Sequence, residues 1–542
     1  MSNSATSDLK SLYDVVVVGG GHNGLVNSAY LAGAGLSVAL VEQNERVGGL
    51  CQTAEVLPGL RGNLAANSAH NLDPVVAAEL DLSAHGLSWI EIQPISSMAL
   101  LPDASRILAH KDPSLRDAEF DQFGVGEADA YRGLLEELNE LGRALNVSFY
   151  DPPPGFDELQ SRVPTGRMQE LFNAVMFGSM SDLAVSHLVS DQVRASLAML
   201  AVAGNYVGVR TPGSAYQLLQ RPLYRGASVA DQRNSVMATA EYSSFTPRGG
   251  MGAVTRAIAS AARTRGVDIV TGAAVDGIEL HNGRATGVRL GDRHVRARIV
   301  VSALNPVHTL LSLVPRDALD PEFRSGLEST PMEGCLGKVY LGLDGLPRFA
   351  AARTQEENRL MTRCGFRAGP KMGALEESYQ LSRGGSFRGE PVVYGLVQTA
   401  FDDSLNPAGL HLMSLSVSYV PRRLNGTNWD TEKAEWIRHI VHWLTQHIPN
   451  LPEILVSADG LTTEDLENKF ALAGGNALHG DVVGQGMFDS RPFIGHTDYT
   501  SPVAGLYMCS NGTWPGNYVS GLPGRNAALK VLRDIRAGVL TG

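Results

Sequence analysis

Asp14-Val15-Val16-Val17-Val18-Gly19-Gly20-Gly21-His22-Asn23-Gly24 is the stretch whose reading decides the fold. A run of β-branched residues reads as a short strand buried on both faces of a parallel sheet. Glycines follow at once, and residues 24–34 (GLVNSAYLAGA) then read as a helix of small residues able to lie close on that sheet. Residues 37–42 (SVALVE) read as the next strand, ending on Glu42. The unit is βαβ, with glycines where a dinucleotide fingerprint needs them. Gly19 permits the tight turn, Gly21 lets the main chain approach a pyrophosphate, and Gly24 allows close helix–strand packing. His22 and Asn23 open a helix whose N-terminus offers free N–H groups and positive dipole to phosphates. Glu42, 18 residues past Gly24, is spaced to accept hydrogen bonds from a ribose, with Gln43 beside it.

The rest of the chain sets the limits around this unit. At 542 residues it is too long for one simple core, so two joined domains are expected. Hydrophobic residues make up 44% and charged residues 19%, the proportions of an ordinary globular protein. The net charge of −11 argues against nucleic acid as a partner. It also removes general attraction to anionic lipid, while leaving room for a local apolar patch to touch a membrane peripherally. Cys51, Cys335, Cys364 and Cys509 lie far apart, with no C-x-x-C pair and no Cys/His spacing for zinc. Few, scattered thiols suit a reducing compartment, and the polar start MSNSATSDLKSLY lacks an apolar signal core, so a cytoplasmic location is expected. The longest uncharged run, residues 195–209, is too short to span a bilayer and reads as a buried helix followed by a turn, or as a wall of an apolar tunnel.

Along the chain, residues 86–244 read mainly as amphipathic helices, with Leu134, Leu138, Leu141 and Leu145 on one face. A second α/β block occupies 247–303, and β-rich runs around one helix fill 311–474. A final strand, glycine loop and helix close the chain. The expected layout is an α/β Rossmann-like nucleotide-binding domain from 1–85, 245–310 and 475–542. It is interleaved with an α+β substrate-binding domain from 86–244 and 311–474.

Three further stretches sharpen the nucleotide. Arg46-Val47-Gly48-Gly49-Leu50-Cys51-Gln52-Thr53 follows the acid. Cys509-Ser510-Asn511-Gly512-Thr513-Trp514-Pro515-Gly516 leads into Gly521-Leu522-Pro523-Gly524-Arg525-Asn526-Ala527-Ala528. Between them stands the block PRGGMGAVTRAIASAARTRGVDIVTGAAV. Taken in order, these resemble the phytoene desaturase-related FAD-dependent oxidoreductases, a group similar to carotenoid desaturases, retinol saturase and amine oxidases. The stretch 474–492 resembles a branch outside the well-studied carotenoid desaturases.

The resemblance implies FAD as cofactor. Arg46, Gly48, Gly49 and Leu50 would lie along its phosphate and ribityl region, and the Val275 main chain would bracket the adenine. Asn511, Gly512, Gly521, Leu522 and Pro523 would lie near the flavin ring. Two departures stand out: Leu50 replaces the family's second arginine, and Trp514 replaces its histidine. A second strand–G-x-G-x-x-G for NAD(P)H is missing, so electrons are expected to enter from an organic substrate and leave to oxygen, a quinone or another external acceptor.

Flavin chemistry asks for little beyond position and electrostatics. His479, in the glycine-flanked loop NALHGD, is the candidate for a catalytic base, against a plain loop-holding role. His70, Trp514 and Tyr518 are candidates for the substrate pocket, with packing between domains as the alternative for the aromatics. The expected activity is hydride removal from a small, largely apolar organic molecule onto flavin N5. Amine-oxidase-like C–N oxidation is the enzymatic alternative, and a redox-neutral isomerase or a flavin-stabilised binding protein the alternative of another class. Assembly into a homo-oligomer is left open.

Overall fold

The structure is a computed structural model describing residues 9–223, 245–406, 409–516 and 518–539. Part of the segment read for a secretory signal, and residues 224–244 of the helical block, lie outside the described residues. The valines of Leu12–Val18 form the centre of the first sheet, Val15, Val16 and Val17 being fully buried. This strand runs parallel to Val38–Val41 on one side and to Arg293–Ser302 on the other. Asp268–Val270 extends the sheet beyond Val38–Val41, and Leu506–Met508 pairs in parallel with the end of Arg293–Ser302. Gly277–His281 and Arg284–Leu290 form an antiparallel hairpin and complete that side. One sheet thus draws on segments from the start, middle and end of the chain.

A second seven-stranded sheet stands apart from it, in the order Leu455–Leu461, Gly337–Leu343, His411–Ser418, Val392–Val397, Gly365–Ala368, Ile95–Leu100 and Arg106–His110. The last two strands correct the expectation of helices from residue 86. Helical periodicity begins only with Pro113–Asp121 and Glu127–Leu145. The preceding runs ISSMAL and RILAH are short and mostly buried, which suits strands. Ile95–Leu100 finds its parallel partner in Gly365–Ala368, a pairing that local sequence cannot announce. Leu134, Leu138, Leu141 and Leu145 are all buried on the inner face of their helix. The uncharged run forms the end of the helix Asp191–Ala201 and the turn after it. Among the described residues no helix is long and apolar enough to cross a membrane.

Candidate cofactor and substrate site

The first helix, His22–Gly33, begins directly at the end of the central strand, with Gly21 as its N-cap and no side chain capping it. Its first N–H groups therefore receive no side-chain cap. A Cβ built on Gly21 would meet nothing within 4 Å, whereas one on Gly24 would stand 2.1 Å from the Gly19 carbonyl oxygen. The loop is closed to side chains from behind and open to a ligand in front. Glu42 holds its shape: Oε2 accepts from the Gly20 N–H at 2.7 Å, and Oε1 accepts from the Asn44 N–H and its side-chain amide, both at 2.9 Å. The second glycine pair locks onto the first, since the Gly48 N–H donates to the Gly20 carbonyl at 2.8 Å and Gly21 bridges Gly48. The segment of Val275 runs beside Glu42, with the Ala273 N–H donating to the Glu42 carbonyl at 3.0 Å.

Two distant loops close the opposite side. Arg491 is buried (3% exposed) and donates to four main-chain carbonyls: Asn511 at 2.7 Å, Leu478 at 2.9 Å, Asp481 at 3.1 Å and Gly480 at 3.2 Å. It ties the loop of His479 to the loop of Asn511. Burial pushes the nearby Asp481 carboxyl up to about 6, against the hydrogen bonds it accepts from the Asn476 side chain and the Tyr206 N–H. His479 takes a left-handed conformation (φ 61°), and burial, with Arg491, His22 and His308 nearby, holds its imidazole down to about 3. It stays neutral at any ordinary pH. Burial likewise holds His22 down to about 4, opposed by a hydrogen bond to the Tyr518 main chain.

A cavity of about 910 Å³ joins these loops to the second sheet and the helices, and its walls are mainly apolar. Gly19, Gly21, His22, Asn23, Gly24, Glu42, Gln43, Gly48, Gly49, Leu50, Val275, Asn511 and Leu522 border it, as do His70, His479 and Tyr518. Five buried polar atoms of residues on this wall have no hydrogen-bond partner among the described residues: His22 Nε2, Asn23 Oδ1, Gln220 Oε1, His479 Nδ1 and Asn511 Oδ1. Buried polar groups left unpaired are costly, so this set points to a polar ligand along the wall. With the bare helix N-terminus and Glu42, it fits FAD.

Other expected positions lie elsewhere, each for a steric reason. Trp514 is not on the cavity wall. It is buried between Phe149 (ring centroids 5.4 Å apart) and Phe488 (5.7 Å), its indole N–H donating to the Ser148 carbonyl, so its role is domain packing. Its bulk therefore takes no room from the pocket. Gly512 faces Pro306, where a Cβ would come within 2.5 Å, and Gly521 packs on Val76. Pro523 is buried in the first turn of the last helix, and Arg46 is exposed and off the cavity wall. Tyr518 keeps its place on the wall, its hydroxyl accepting from Gln217 at 2.9 Å and donating to the Ala203 carbonyl at 3.2 Å.

One residue on the cavity wall was missed by the sequence reading. Lys338 lies on the fully buried strand Gly337–Leu343, and its ammonium donates to Ser414 Oγ (3.0 Å), Asn67 Oδ1 (3.1 Å) and Ser416 Oγ (3.3 Å). All three partners are neutral, and burial pulls the amine down to about 7. Leu336 and Leu478 both lie close to Gly204, which brings the lysine's strand and the His479 loop to one part of the cavity. The available signal was a single charged residue inside the apolar run of GKVYLGL, facing Ser-x-Ser on a neighbouring strand.

All four cysteines are free and buried, and burial pushes each thiol up, so none is poised as a thiolate.

Comparison with known proteins agrees with this geometry. Residues 110–433, more than half of the chain, match the family model of flavin containing amine oxidoreductase, and residues 17–80 match that of an NAD(P)-binding Rossmann-like domain. The chain is 30% identical to mouse (Mus musculus) pyridine nucleotide-disulfide oxidoreductase domain-containing protein 2, over 98% of this chain and 96% of that one. It is also 30% identical to a phytoene dehydrogenase of Streptomyces griseus, over 73% and 71% of the two chains. The fold is similar to that of putrescine oxidase solved with putrescine, with a TM-score of 0.59 and 16% identity over 97% of this chain and 99% of that one. The chain belongs to the flavin-containing amine oxidoreductase family, and is an FAD-dependent oxidoreductase of its phytoene desaturase-like side.

Proposed function

We propose that this protein dehydrogenates a largely apolar organic substrate, with Lys338 receiving the proton that leaves beside the hydride. When bound, FAD supplies a two-electron acceptor at its N5. The substrate C–H would lose its pair as hydride and the neighbouring position would lose a proton to Lys338 Nζ, leaving a new double bond. Oxygen, a quinone or another external acceptor then takes the two electrons. The observation that carries this reading is the uncompensated lysine on an apolar wall. Its amine, pulled down to about 7, is neutral in a large fraction of molecules at physiological pH and can act as a base. His479 cannot share that role well, because an imidazole held near 3 has little affinity for a proton. It is better suited to a hydrogen bond with the cofactor.

The phytoene dehydrogenase relative, whose name specifies an apolar polyene, adds to the support for an apolar substrate. Anaerobic mixing of the holoenzyme with apolar alkenes and polyenes tests the reading, with bleaching of the flavin absorbance as the expected result. A rearranged product formed without bleaching and without an acceptor would select isomerisation instead. Bleaching by simple amines alone would select C–N oxidation.

A further inference from the structure

On the second sheet, Lys338, Ser416 and Tyr394 stand directly opposite one another on three adjacent strands, and residues paired in that way project from one face. All three border the cavity, as does Asn67. Lys338 therefore presents an amine to a chamber whose walls include Leu336, Phe366, Leu396 and Leu472. The setting of this amine differs from that of other lysines in the chain. Lys10, Lys111, Lys433 and Lys530 each stand between 2.8 and 3.3 Å from a carboxylate, those of Asp268, Glu91, Asp465 and Asp534. No carboxylate pairs with Lys338 among the described residues. Its partners are Ser414 Oγ at 3.0 Å, Asn67 Oδ1 at 3.1 Å and Ser416 Oγ at 3.3 Å, all of them neutral.

A buried ammonium without an acid partner is held toward the neutral amine, here down to about 7. The neutral amine keeps two N–H donors for Asn67 Oδ1 and Ser414 Oγ, its shorter bonds, and has one lone pair. Releasing the longest bond, to Ser416, frees that lone pair as a nucleophile. We propose that Lys338 is a covalent capture site for largely apolar aldehydes, which it binds as an imine. Nζ attacks the carbonyl carbon and a C–N bond forms. The carbonyl oxygen then leaves as water with the two amine hydrogens. No electrons are gained or lost, so the step asks nothing of the flavin. Ser416, on the same wall as the amine, is placed to hydrogen-bond that oxygen before it departs. The apolar walls take up the hydrocarbon tail and keep out the water that would hydrolyse the imine. Capture goes beyond dehydrogenation: an aldehyde held there occupies the chamber and removes the amine as a proton acceptor.

The test treats the holoenzyme near neutral pH with dodecanal and sodium cyanoborohydride, which reduces an imine to a stable secondary amine. Peptide mass mapping then locates the label. Lys338 should carry a dodecyl group before any other lysine does, because ordinary lysine amines stay protonated at that pH. Glycolaldehyde, which has no apolar tail, should label Lys338 at least about tenfold more slowly. Lys338→Met should abolish the fast labelling and leave that of the other lysines as it was. If this variant fails to fold, the peptide map of the natural protein decides alone. Dodecyl groups confined to other lysines, or glycolaldehyde labelling Lys338 as fast as dodecanal, would overturn the inference. Flavin reduction is scored separately. If Lys338 is labelled but Lys338→Met still reduces its flavin at the natural rate, the proton-accepting role falls and the capture site stands.

Discussion

The two ends of the cavity are built on different principles. The nucleotide end is made of main chain contributed by two neighbouring segments, residues 19–24 and 42–51, and it works because side chains are excluded from it. The inner end is made of buried side chains: Lys338 and Arg491, held by neutral acceptors, and His479, whose imidazole burial keeps from protonating. The comparison teaches where charge is tolerated. Near the phosphates the chain offers dipoles, and at the inner end it offers cations that have given up much of their hydration.

Breaking the inner end should do the greatest damage. Arg491→Met would remove a cation bonded to four carbonyls and leave those carbonyls unpaired in a dry site. The expected loss is on the order of 3–5 kcal/mol of stability, with poor flavin retention. Thermal unfolding and the flavin-to-protein absorbance ratio check it, and an unchanged ratio would mean that the two loops hold themselves.

Lys338→Met separates chemistry from folding at the same end. Anaerobic flavin reduction should slow about a hundredfold, while stability is unchanged or rises, because an uncompensated buried cation is replaced by an apolar chain of similar length. The pH dependence gives the sharper readout. Reduction by the natural protein should rise with pH through about 7, as Lys338 loses its proton, and that limb should vanish in the variant. Stability carries the same signature. Folding depresses this lysine, so its contribution is present at high pH and is lost as pH falls from the ordinary lysine range through about 7.

Glu42→Ala probes the nucleotide end and should have the smallest effect. Water can replace the carboxylate at the Gly20 and Asn44 N–H groups, so FAD affinity should fall only about tenfold, or about 1.4 kcal/mol. Equilibrium dialysis of FAD would check this, and unchanged affinity would mean that Glu42 only shapes the loop.

The same contrast explains what could be read from the sequence. Gly19, Gly24 and the pair Gly48-Gly49 are legible because their backbone angles or close neighbours resist a side chain, and Gly21 because it stands in the same continuous segment. Lys338 was not legible, because its partners Asn67, Ser414 and Ser416 are ordinary residues gathered only by the second sheet. Trp514 was misplaced for a related reason. Position beside a cofactor motif does not say which way a side chain turns, and Phe149 and Phe488, which turn it inward, come from other segments. The strands Ile95–Leu100 and Arg106–His110 escaped because one of them pairs with residues 365–368.

The apolar wall of the cavity also has a calorimetric consequence. Covering apolar surface lowers heat capacity, so the enthalpy of ligand binding should become more favourable as temperature rises. A ligand that seats its body along the wall will show this negative heat-capacity change, and one held only at the polar rim will not. Titration at several temperatures would therefore report how deeply a compound enters, even for a compound that never reacts.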